Sequence, residues 1–149
     1  MYKSILVPTD GSELSDAAIK EAAKLAKELG AKLVLFHAAP HYRLPPISEG
    51  LSTPTWPDVR QTAIKETEAE AKRLLASAAR NVNLAGLSVD QQLAVSDSPY
   101  EAIIEAANEF QCELIIMASH GRRGLSGILL GSETQKVLTH SSIPVLVVR

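Results

Sequence analysis

The order of the chain is decided in one stretch: Leu114-Ile-Ile-Met-Ala118, then Ser119-His-Gly-Arg-Arg-Gly-Leu-Ser-Gly-Ile-Leu-Leu-Gly131, then Ser132-Glu-Thr-Gln-Lys-Val-Leu138. The first piece is an apolar run short enough for a buried strand, and the last has helical spacing. Between them, Gly121, Gly124, Gly127 and Gly131 crowd four of the chain's eight glycines into eleven residues. Strand, glycine-rich loop and helix start together describe a phosphate cradle. Glycine lets backbone N–H groups approach an anion, and a helix N-terminus adds unpaired donors and a partial positive charge. The competing reading is a surface turn that happens to be rich in glycine. Gly131-Ser132 at the helix start favours binding, because a hydroxyl and N–H groups can both reach a phosphate oxygen there. The loop lacks the Gly-Lys-Ser/Thr of a Walker A sequence, and no G-x-G opens a helix after the first strand.

Outward from this stretch, strands and helices alternate. Ser4-Ile-Leu-Val-Pro8 reads as a strand buried on both faces, and Thr9-Asp-Gly-Ser12 is turn chemistry with candidate N-caps. Leu14–Leu29 places Ala17, Ala18, Ile19, Ala22, Ala23, Leu25, Ala26 and Leu29 at helical spacing, and Gly30 stops the helix. Lys32–Ala38 is a second buried strand. From Ala39 to Pro57 the pattern dissolves into a loop with five of the eight prolines, the kind of segment that forms a lid or binding loop. Asp58–Asn83 returns to helical spacing through Ala63, Ala69, Leu74, Leu75 and Ala78. Leu87–Val95 alternates loosely, with Val89, Gln91, Leu93 and Val95 on one face, as an edge strand would. Ser98-Pro-Tyr-Glu101 predicts a helix start with Ser98 as N-cap, Pro99 at the first helical position and Glu101 completing a capping box. Ser132–His140 is the last helix and Ile143–Val148 the last strand. Such alternation forces parallel pairing through right-handed crossovers, hence an open α/β sheet with helices on both faces. Ligands in these sheets sit at the carboxyl ends of the strands, where the winding direction reverses.

Bulk properties narrow the function classes. The 149 residues suit one domain, 1–149, with 46% hydrophobic and 21% charged residues as in soluble globular proteins. A net charge of −2 argues against nucleic-acid and anionic-membrane partners. From Ser119 to Arg149, however, four basic residues face one acid, Glu133, a bias that suits a phosphate ligand. No leader or membrane span is expected, which makes the cytoplasm the default location. The single Cys112 reads as a half-buried structural thiol. The four histidines offer no metal site, and no hydrolase triad signature is present. Asp10 reads first as a turn-former or helix cap and second as an acceptor for ribose hydroxyls. His120 reads as a loop residue that could touch phosphate, and His37 as a hydrogen-bonded core or rim histidine.

Ala118-Ser-His-Gly121, nine residues, then Gly131-Ser132 resembles the motif of the universal stress protein family, whose ATP-binding members carry G-x2-G-x9-G-(S/T) after the fourth strand. Val7–Ser12 and Ile143–Val148 resemble its opening and closing elements, so the likeness covers nearly the whole chain. The chain departs at Ala118, where the motif has its first glycine. The resemblance implies a Rossmann-like five-stranded parallel sheet in the order 3-2-1-4-5, with ATP, ADP or AMP, with or without Mg2+, between the first and fourth strands. Pro8, Thr9 and Asp10 would line the adenosine, Asp10 on the ribose, and Ala38 would lie by the adenine. Gly121, Gly131 and Ser132 would hold the phosphates, aided by backbone at Arg122 and Glu133. Met117, Ala118, His120 and Gly124 complete the expected lining. The implied role is a regulatory stress-response protein that passes its signal to a partner protein. A slow ATPase using His120, Arg122 and Arg123, or a nucleotide-free interaction module, are the alternatives. In the implied order the apolar final strand lies at the sheet edge, which predicts a homodimer through residues 143–148.

Overall fold

Each of the three central strands buries residues on both faces, and that sets the architecture. The computed structural model describes residues 1–43, 56–83, 86–121 and 130–149. Its strands are β1 (Ser4–Pro8), β2 (Lys32–Ala39), β3 (Val89–Val95), β4 (Leu114–Ala118) and β5 (Val145–Val148). They form one parallel sheet in the order β3-β2-β1-β4-β5, as expected. The helices are α1 (Glu13–Leu29), α2 (Trp56–Asn83), α3 (Pro99–Glu109) and α4 (Ser132–His140).

Side chains alternate along a strand, so each strand feeds two cores. Ile5 and Val7, Leu33 and Leu35, and Leu114 and Ile116 pack against Ile19, Ala22 and Ala26 of α1 and Leu75, Ala79 and Val82 of α2. Leu6, Val34, Phe36, Ile115 and Met117 pack on the opposite face against Ala102, Ile103 and Ala106 of α3 and Val137 of α4. Helices therefore cover both faces of the sheet.

Helix ends follow local chemistry. Ser12 caps α1 by accepting a hydrogen bond from the Ser15 N–H at 3.2 Å. Gly30 ends it at φ +63°, and the Ala31 N–H reaches back to the Ala26 carbonyl at 2.8 Å, a Schellman closure. The capping box expected at α3 is not made. Pro99 does start the helix, but the Ser98 side chain makes no capping bond. Instead the Tyr100 N–H donates to Glu133 of α4 at 2.9 Å, and Glu101 accepts the Tyr100 hydroxyl at 2.8 Å. A carboxylate from a neighbouring helix has displaced the local cap.

Other differences lie at element margins. In α2 no residue from Pro57 to Glu70 is buried, and the buried line begins at Ala71; Ala63, Ala69 and Leu74 are only partly covered. The edge strand β3 turns Val89 and Leu93 to the first core but leaves Val95 exposed at its carboxyl end. β5 starts at Val145 rather than Ile143, because the Ile143 N–H and carbonyl are both tied to the Ser141 hydroxyl in a local turn. Most of the predicted 39–57 loop lies outside the described residues. Among the described residues no helix is long and apolar enough to cross a membrane.

Cys112 is buried rather than half-buried, in the second core, with its Sγ 3.5 Å from the Ser4 hydroxyl. Burial raises its thiol pKa. The sign for stability follows: above pH about 8.5 the unfolded chain sheds the thiol proton first, so this group's contribution is lost as pH climbs. Iodoacetamide at pH 8.5 should therefore modify Cys112 only as fast as the protein opens; labelling at the rate of a free thiol would contradict this placement.

Candidate functional site

β1 and β4 are neighbours in register, Ile5 beside Leu114 and Leu6 beside Ile115, yet the chain leaves them toward opposite faces. α1, after β1, joins the first core, and α4, after β4, joins the second. This reversal opens a crevice at the carboxyl ends of the two strands.

One wall is the turn from Pro8 to Ser12. Thr9 is buried, and its polar atoms are all committed. Its N–H donates to the Phe36 carbonyl at 2.8 Å, and its carbonyl meets His37 Nδ1 at 2.7 Å. Its hydroxyl accepts from the Gly11 N–H at 3.2 Å and shares a hydrogen bond with Ser15 Oγ at 3.0 Å. Asp10 is not the cap of α1, since Ser12 fills that role. Asp10 Oδ1 accepts instead from the Ser12 N–H at 2.9 Å, an Asx turn. A Cβ added at Gly121 would stand 2.7 Å from Asp10 Oδ2. The carboxylate of the first turn thus lies against the backbone leaving β4.

The other wall is the β4 exit and the start of α4. The Gly131 N–H donates to the Ser119 carbonyl at 2.7 Å, and the Thr134 hydroxyl donates to the Ala118 carbonyl at 3.0 Å. These bonds press α4 onto β4, and a Cβ at Gly131 would meet His120 Cα and the Ser119 carbonyl, each at 3.2 Å. Glycine is needed there for close approach; its own N–H is already used. Gly131, the N-cap of α4, has no side chain to cap with, and among the described residues no side chain is bonded to the N–H groups of Ser132, Glu133 and Thr134; Ser132 is exposed. His120 Nδ1 and the buried Ser119 hydroxyl are 3.0 Å apart. The Glu133 carboxylate turns away, bonding the Tyr100 N–H and, at 2.9 Å, Lys136, whose pKa it raises.

The expected residues separate by role. Pro8, Asp10, His120, Gly121, Gly131 and Ser132 come together around the crevice. Ala38 stands at the end of β2, its methyl toward the second core. Met117 is packed in that core, and Ala118 is buried as the last residue of β4, paired with Val148. Arg122 and Gly124 lie outside the described residues. The residues present fit a phosphate at the start of α4, where the N-cap Gly131 brings no side chain and Ser132 is exposed. Among the described residues no three His, Cys, Asp or Glu side chains gather to hold a metal.

A family model described as the universal stress protein family matches residues 1–149. The chain belongs to the universal stress protein family. It is 32% identical over 152 residues to the universal stress protein MJ0531 of Methanocaldococcus jannaschii, covering all of this chain and 83% of that one. The solved structure of MJ0577, titled a structure-based assignment of biochemical function, aligns with a TM-score of 0.79 at 29% identity, over 99% of this chain and 96% of that one. A universal stress protein crystallised in complex with cAMP aligns with a TM-score of 0.72 at 26% identity, over 99% and 97%.

In this universal stress protein the residues that shape the crevice include several the sequence did not single out. Ser15, Ser119 and Thr134 hold the two walls through hydroxyl bonds, and short polar side chains at helix starts carry no signal that separates them from ordinary turn residues. His37 had a signal, a polar ring in an apolar strand, but not its partner. The Asp10–Gly121 approach predicts a small cost, since the neighbour is a side-chain tip beside an exposed glycine: Gly121→Ala should destabilise the protein by about 0.5–1 kcal/mol in urea unfolding. The cost should shrink in an Asp10→Ala background, and strict additivity in the double-mutant cycle would contradict the contact.

Proposed function

We propose that this universal stress protein is an adenine-nucleotide-binding regulatory protein that works as a homodimer. The observation that carries the reading is the contrast between two helices of one chain. α1 has its start closed by Ser12, whereas α4 begins at Gly131 with no side-chain cap, opposite Asp10. Phosphate oxygens would accept from the Ser132–Thr134 N–H groups and the Ser132 hydroxyl. Asp10 would accept from ribose hydroxyls, and Pro8, Thr9 and Ala38 would border the adenosine, Thr9 through its backbone alone. The relative crystallised with cAMP supports the ligand class. Mg2+ would arrive with the phosphates, since the described residues supply no carboxylate cluster for it.

Two or three charge-assisted hydrogen bonds of about 1.5–3 kcal/mol each are enough for micromolar affinity after association costs. The reading places the protein in the cytoplasm, with occupancy by ATP, ADP or AMP setting its affinity for a regulatory protein partner in the stress response. Hydrolysis is not required for that role.

Dimerisation follows from the sheet edge. Among the described residues β5 pairs only with β4, and Leu146 is 42% exposed on it. A second copy of β5 would complete the edge without any new element.

Nucleotide at a hundredfold excess over its Kd should add about 2.7 kcal/mol of stability, a rise in melting temperature of roughly 5–10 °C for a domain this size. A scan with AMP, ADP, ATP and cAMP, with and without Mg2+, checks this. No shift with any of them would overturn the reading, and steady phosphate release that Gly131→Ala abolishes would turn it toward a hydrolase. Light scattering at micromolar concentration should give a dimer mass that Val147→Pro reduces to a monomer; a monomer for the unmodified chain would remove the edge-strand interface.

A further inference from the structure

The β1–β2 ladder ends where the Thr9 N–H meets the Phe36 carbonyl. The next acceptor on that side, the Thr9 carbonyl, is taken by a side chain, His37 Nδ1, at 2.7 Å. A carbonyl oxygen carries no proton, so Nδ1 is the donor whether the ring is neutral or charged. Neutral His37 is therefore the Nδ1–H tautomer.

The Thr9–Asp10 peptide is planar and trans, so its C=O and N–H point in opposite directions. With the carbonyl drawn toward β2, the Asp10 N–H is turned toward β4. Asp10 follows the same way: its Oδ1 closes the Asx turn on the Ser12 N–H, and its Oδ2 lies 2.7 Å from where a Cβ of Gly121 would stand. The hydroxyl side of Thr9 cannot set this direction by itself, because its partners, Gly11 and Ser15, lie on the α1 side of the turn.

We propose that His37 is the positioning residue of the crevice: by holding the Thr9 carbonyl toward β2 it aims Asp10 at the β4 exit and fixes the wall against which the nucleotide's sugar would bind. This rests on the nucleotide reading of the site. Ala38, the next residue of β2, stands at the same end of the sheet.

Two variants separate positioning from packing. His37→Val fills part of the ring's volume and has no donor, whereas His37→Asn keeps an N–H at nearly the place of Nδ1. Calorimetric titration with the adenylate that gives the largest thermal shift should show about tenfold weaker binding in His37→Val, the loss of one net hydrogen bond. His37→Asn should bind within about threefold of the unmodified chain, even where the two variants melt at the same temperature. Equal affinity of His37→Val and the unmodified chain would overturn the proposal and leave the nucleotide reading standing. If the unmodified chain binds no adenylate, that reading fails, and the ligand-free spectra judge His37. Asp10 and Gly121 amide resonances should move in His37→Val and return in His37→Asn, and long-range 1H–15N spectra should show a protonated Nδ1. Unmoved amides, or a protonated Nε2 with bare Nδ1 in the neutral ring, would overturn the positioning role.

Discussion

The contact on which the site depends is the approach of the Asp10 carboxylate to Gly121. It joins two turns more than a hundred residues apart in sequence, one after β1 and one after β4. Neither turn could build a binding surface by itself. They meet because β1 and β4 are adjacent, and they can meet closely because residue 121 has no side chain. The adjacency in turn comes from strands that are apolar on both faces and so must be covered on both. The cores that bury Ile5, Leu6, Val7, Ile115 and Ile116 hold the two polar turns at a fixed separation.

The two helices that start in the crevice treat their first turns differently. α1 is closed locally: Ser12 takes the Ser15 N–H, the Thr9 and Ser15 hydroxyls bond each other, and Asp10 Oδ1 accepts from the Ser12 N–H. That turn is a finished piece of scaffold. α4 is fastened from behind, through Gly131 to Ser119 and Thr134 to Ala118, while among the described residues no side chain meets its first-turn donors. The acid in that first turn, Glu133, is drawn off to the start of α3 and to Lys136, so its charge is balanced by partners other than the helix start. A helix fixed at its back and open at its tip suits a ligand that brings its own negative charge.

Much of this could be read in the sequence. Ser4–Pro8, Lys32–Ala38 and Leu114–Ala118 announced buried strands by their unbroken apolar runs, and their alternation with helices required a parallel sheet. The strand order came from the likeness to the universal stress proteins, not from composition. What escaped the sequence was pairing at a distance. Ser98-Pro-Tyr-Glu101 has every local feature of a capping box, yet Glu133 from another helix takes the Tyr100 N–H. Asp10 has the features of a cap, but Ser12, two residues on, is the one that caps. Local preference names the residues able to do a job, and the packing of elements then chooses among them. The alanine at 118 is legible in the same way. As the buried last residue of β4, opposite Val148, it has a packing role its departure from the family motif did not disclose.

The central claim is that the tip of α4 and the Asp10–Gly121 contact form a single nucleotide-accepting surface, the helix tip for phosphate and Asp10 for the sugar. Titration of the 15N-labelled protein with AMP, followed by amide chemical shifts, tests it most directly. The account predicts saturable shifts at Ser132, Glu133, Thr134, Gly121 and Asp10 with one common Kd, and none at the far ends of the strands around Lys3 and Lys32. Shifts confined to other surfaces, or different apparent affinities at Asp10 and Ser132, would contradict it.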